Sequence, residues 1–124
     1  MPFLESLASG TPVIATGWGG HMDFVTDRNG FKVGYRLRHP AASMNKPTAI
    51  ARRFRYLFNG SGQRWAEADE GSLVRQMRRA YLNPGLCRQK GRRARLDAAR
   101  LSWGRAGAMM KRAVGHVVAR RKRR

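Results

Sequence analysis

Few side chains in this sequence have the means to do chemistry, and the first is the carboxylate of Glu5, inside Pro2-Phe3-Leu4-Glu5-Ser6-Leu7-Ala8. An ionised carboxylate accepts short, charge-assisted hydrogen bonds and can hold two neighbouring hydroxyls at once. Taken alone, Glu5 is an exposed helix acid near a favourable dipole. The second candidate is the loop Gly17-Trp18-Gly19-Gly20-His21. It lacks the full spacing of a dinucleotide fingerprint and the acidic residue about 20 positions on. His21, His39 and His116 are scattered, without the spacing a shared metal needs, and read as buried or solvated imidazoles. Trp18 and Trp65 offer faces on which a base could stack, but buried packing is the stronger reading of each. Cys87 is the single cysteine, so no intrachain disulfide forms and a reducing compartment is compatible.

The elements that must position these groups alternate. Phe3, Leu4, Leu7 and Ala8 have helical spacing, and Gly10 stands where a helix C-terminal glycine is favoured. Pro12–Thr16 predicts a short buried strand, β-branched and bounded by breakers. After the glycine loop, Met22, Phe24 and Val25 suggest one helical turn, closed by Asp27-Arg28-Asn29-Gly30. Phe31-Lys32-Val33 is the second strand. This order predicts an α/β protein with two short parallel strands and several helices, its first segment spanning residues 1–35.

Residues 36–64 are polar, basic and weakly patterned, and read as an insertion with one short helix around Ala49–Phe58. Residues 65–118 complete the same domain with helices. Asp69 is the expected N-cap of the first, whose apolar stripe is Leu73, Val74, Met77, Ala80 and Tyr81. Asn83-Pro84-Gly85 ends it, a basic helix over about Leu86–Arg100 follows, and Ser102 caps a third from Trp103. Residues 119–124 form a basic tail.

The formal net charge is +19 and uneven. Residues 1–70 hold 9 Lys+Arg against 6 Asp+Glu, whereas residues 71–124 hold 17 against 1, the acid being Asp97. Such a field attracts nucleotides, nucleic acid or an anionic membrane, so charge alone names no partner. There is no signal-peptide pattern, and no apolar run approaches the roughly 18 residues of a membrane span.

Pro2 to Thr16 resembles, almost position by position, the Pro-x-Leu-Glu-Ala-Met-Ala-x-Gly-x-Pro-Val-Ile-Ala stretch of group-1 (family four) glycosyltransferases. Gly20-His21-Met22-Asp23-Phe24-Val25 is similar to that family's Gly-Asn-x-Glu/Asp-Phe segment, and Asp27 to Val33 to its Asp-x-x-Asn-Gly-Phe-Leu-Val turn and strand. Trp65-Ala66-Glu67-Ala68-Asp69 resembles a Trp-Ala-x-x-Asp element, and Arg78–Pro84, Lys90–Ala94 and Ser102-Trp103 the closing helices. Together the likeness covers about residues 2–112, interrupted by the insertion.

The resemblance implies the C-terminal half of a GT-B donor-binding domain, a partial Rossmann-like fold. It implies that Glu5 binds the ribose of a nucleotide-diphosphate sugar, near a helix N-terminus that faces the diphosphate. Pro2, Phe3, Leu4, Gly17, Gly19, Gly20 and His21 would border the donor cleft. The expected reaction is retaining glycosyl transfer from that donor to an acceptor, with no metal or other cofactor required, in the cytoplasm or peripherally at a membrane. The family's first carboxylate would lie eight residues before Glu5, ahead of Met1, so the expectation is a truncated product or a start inside a longer reading frame, inactive alone. The alternative is a small basic module for nucleic acid or an anionic membrane, the membrane reached through the helix after Trp103 and nucleic acid weighed lower.

Overall fold

A computed structural model describes residues 2–44, 56–58 and 60–121. Its described elements are α1 (Pro2–Ala8), β1 (Ile14–Thr16), β2 (Phe31–Val33), β3 (Tyr35–Arg38), α2 (Pro40–Met44), β4 (Trp65–Ala68), α3 (Glu70–Leu82), α4 (Pro84–Ala98) and α5 (Trp103–Arg121). A 3-10 turn over Gly20–Asp23 separates β1 from β2.

Helix α1 stops where Gly10 takes a left-handed φ of 84°, a conformation glycine adopts without a Cβ penalty. That turn lets the Thr11 N–H donate to the Ser6 carbonyl at 2.9 Å and the Gly10 N–H to the Leu7 carbonyl at 3.0 Å. Both orphaned carbonyls are thereby satisfied. The chain re-enters as β1, which pairs in parallel with β2 in the register Ile14↔Phe31, Ala15↔Lys32 and Thr16↔Val33. The α/β order and the parallel pair are as the sequence predicts, and they are compatible with part of a Rossmann-like arrangement.

Around this pair lies the core: Leu7 of α1, Val13, Ala15, Val25 and Ala94 of α4, with Met22, Phe24 and Ala98 against it. Helices α1 and α4 meet backbone to backbone at Gly10 and Gly91, where a Cβ on residue 91 would lie 2.0 Å from the Gly10 carbonyl oxygen. Only a glycine at 91 lets the helices approach this far.

A second sheet differs from expectation. Strand β3 pairs antiparallel with β4, from Tyr35↔Ala68 to Arg38↔Trp65. The polar insertion therefore begins with a strand, and the region expected to hold only helices begins with its partner. An ion pair from Arg38 Nε to Glu67 Oε2 at 3.0 Å spans the two. The Asp69 cap is as expected, its carboxylate accepting the Ser72 N–H, and Ser72 Oγ in turn accepts the Gly34 N–H at 2.8 Å. Helix α4 starts at Pro84 rather than Leu86, because proline is pre-shaped for a first helical turn. The helix expected around 49–58 lies, apart from residues 56–58, outside the described residues, as do residues 122–124 of the tail.

Candidate functional site

The cavity beside Glu5 has a volume of about 810 Å³ and lies between α1 and the start of α5. That volume is in the range of small-molecule sites. Leu4 and Glu5 line it from α1, and Arg100, Trp103, Arg105, Met109 and Arg112 from the other side. It combines a carboxylate, three guanidiniums and an indole. A carboxylate accepts hydrogen bonds from hydroxyls, a guanidinium donates a fork of N–H groups to phosphate oxygens, and an indole face stacks on a flat ring. Arg105 uses one N–H on the Arg100 carbonyl at 3.2 Å, which fixes its guanidinium over the α4–α5 junction. Ser102 caps α5 by accepting the Arg105 N–H at 3.3 Å. Local sequence thus decides where α5 begins.

Other residues expected to border a donor cleft lie elsewhere. Phe3 is outside the cavity lining and packs its ring on His21, 4.9 Å between centroids. The His21 Nε2–H donates to the Thr16 carbonyl at 2.8 Å, so the imidazole holds the glycine loop against the end of β1. The Gly17 N–H donates to the Val33 carbonyl at 2.9 Å and continues the parallel pairing. Gly19 takes a φ of 109°, and Gly20 opens the 3-10 turn. Pro2 is exposed at the start of α1. Phe3 and His21 are therefore brought together, Leu4 and Glu5 share the cavity, and Gly17, Gly19 and Gly20 lie outside its lining. Trp18 is half-exposed rather than buried, its ring tilted against Tyr35 at 5.6 Å, while Trp65 packs against Phe58.

Sequence reasoning missed Arg100, Trp103, Arg105 and Arg112 as neighbours of Glu5. The signal available was compositional, a basic C-terminal half, and no local motif links residues 100–112 to the other side of the cavity they share with Glu5.

A polar cluster fixes the turn between the 3-10 segment and β2. Asn29 is fully buried and every polar atom of its side chain is used. Its Oδ1 accepts the Thr26 N–H at 2.7 Å, and its Nδ2 donates to the Phe24 carbonyl at 2.9 Å and to Asp97 Oδ2 at 3.0 Å. Arg93 closes the arrangement with a bidentate pair to Asp97. Burial pushes the Asp97 carboxyl up, but the hydrogen bonds from Arg93 and Asn29 and the charges of Arg93 and Arg100 outweigh it and hold it below its ordinary value. Lys90, also buried, donates to the carbonyls of Asp27 and Gly30 and lies over the Phe31 ring at 4.8 Å. Burial first, and the charge of Arg79 second, lower its pKa against the opposing pull of Asp27 and Cys87. This cluster clamps the turn to α4 and leaves no polar atom of Asn29 for a ligand.

Among the described residues no group of three or more His, Cys, Asp and Glu is placed to hold a metal ion, and no helix is long and apolar enough to cross a membrane. Compared with known proteins, the chain matches no family model, no curated protein and no solved structure.

Proposed function

We propose that this chain is part of the donor-binding domain of a nucleotide-sugar-dependent, retaining glycosyltransferase of GT-B architecture. The carrying observation is the cavity in which Glu5 stands opposite Arg100, Arg105, Arg112 and Trp103. In this proposal Glu5 accepts both ribose hydroxyls, the arginines meet the diphosphate, and Trp103 covers the base. The parallel pair that follows α1, and the motif order of the sequence, favour the same assignment. The lone Cys87 suits a cytoplasmic enzyme.

Calorimetric titration with UDP-glucose and GDP-mannose tests the proposal. One of the two is expected to bind, and Glu5→Gln is expected to weaken that binding by about tenfold, the worth of one charge-assisted hydrogen bond. Failure of both donors to bind, or an unchanged affinity in Glu5→Gln, would sink it. The +19 charge supports a second reading, a nucleic-acid module, which predicts DNA binding that falls steeply with salt in the absence of any donor binding.

A further inference from the structure

We propose that α5 carries a docking surface for an anionic lipid bilayer, on which the helix lies parallel to the membrane plane. Trp103, Met110, Val114 and Val117 recur at spacings of seven, four and three, which places them in one stripe along the 19-residue helix. The stripe is bare. Trp103 is 93% exposed, Met110 67% and Val117 68%, and every described side chain from Leu101 to Arg120 is exposed. Water-facing apolar area of this extent along a helix marks an interaction face.

Charge identifies the occupant. The helix carries Arg105, Lys111, Arg112, Arg120 and Arg121 and no Asp or Glu. By helical spacing Lys111 and Arg120 flank the apolar stripe on opposite sides. From there their long stems extend along apolar surface while their charged ends reach lipid phosphates. An apolar stripe bordered by cations and ending in a tryptophan is the pattern of a helix seated at the headgroup boundary. A second copy would bring two all-cationic helices face to face, and the repulsion opposes that pairing. Nucleic acid would meet the cations and leave the stripe in water. The 19-residue helix is not apolar enough to cross the bilayer. Trp103 also lines the cavity beside Glu5, but Lys111, Val114, Val117 and Arg120 do not, so the variants that test this surface leave the cavity lining intact and its failure is distinguishable from a failure of donor binding.

Flotation of the full chain with vesicles tests it, using phosphatidylcholine alone and phosphatidylcholine mixed with phosphatidylglycerol. The chain is expected to float with the anionic vesicles and not with the neutral ones. The double variant Val114→Asp/Val117→Asp should weaken partitioning by at least about tenfold. The milder Val117→Ser should move it in the same direction, and circular dichroism checks that both variants keep their helix. Lys111→Glu with Arg120→Glu should abolish the preference for anionic lipid. Unchanged flotation of the Asp double variant overturns the proposal. So does displacement from vesicles by duplex DNA with equal efficiency in wild type and double variant, which assigns the surface to nucleic acid. A dimer in sedimentation equilibrium that dissociates in the double variant overturns it as well, in favour of a second copy.

Discussion

Asn29 shows how a turn residue becomes a core residue. In sequence, Asp27-Arg28-Asn29-Gly30 is a polar turn. In the fold its asparagine is fully buried and joins Thr26, Phe24 and Asp97 through three hydrogen bonds. A buried group left unpaired costs far more than an exposed one, so Asn29→Ala is expected to destabilise the protein by about 3 kcal/mol. Asn29→Asp keeps the shape and the acceptor for the Thr26 N–H but replaces the Nδ2 donor with an oxygen facing the Asp97 carboxylate. Denaturant titration should therefore find the isosteric change at least as damaging as the truncation. An Asp variant near wild-type stability would contradict this account. Glu5, by contrast, was a candidate only through the resemblance carried by Pro2 to Thr16, since taken alone it reads as an exposed helix acid. Its cationic neighbours were not legible, because no local spacing links residue 5 to residues 100–112.

Helix boundaries were readable where one residue decides them. Gly10 ends α1, Asp69 starts α3 and Ser102 starts α5 through hydrogen bonds within a few positions of each, and such bonds are written into local sequence. The second sheet was not readable in the same way. Tyr35-Arg36-Leu37-Arg38 does alternate with a strand's period of two, but over only four residues, all exposed, and its partner comes after a long intervening segment. The contact between α1 and α4 also belongs to this scale. A methyl group on residue 91 would collide with the Gly10 carbonyl, backbone against backbone, with no flexible side chain to yield. Gly91→Ala is expected to push α4 off α1 and cost about 2 kcal/mol, although alanine is the better helix former in isolation. Gly85, with open space around its Cβ position, serves as the control in the same helix, and thermal melting should separate the two substitutions. Equal melting temperatures would show that the close approach carries no energetic weight.

At the scale of the molecule, charge and core size oppose each other. The buried apolar side chains are few, and seven acids face 26 Lys and Arg. Acidification removes the remaining negative charge and increases self-repulsion. Asp97 sharpens the effect. Its pKa in the folded state lies below the ordinary 3.8, so its carboxylate stabilises the fold fully above that value. The contribution disappears as the pH falls through the lower, folded-state value. The melting-temperature difference between wild type and Asp97→Asn should accordingly be constant above about pH 5 and narrow under more acidic conditions. A difference independent of pH would remove Asp97 from the explanation. The α/β class and the parallel pair followed from strand and breaker patterns, whereas the cavity is lined by residues nearly a hundred positions apart, which no local pattern connects. The Gly10–Gly91 contact also has a consequence for ancestry. Because a side chain at 91 would meet backbone and a left-handed turn at 10 strains most other residues, descendants of this fold are expected to resist replacing either glycine. That pair, far apart in the chain and joined in space, gives a way to recognise distant kin after the surrounding sequence has drifted beyond comparison.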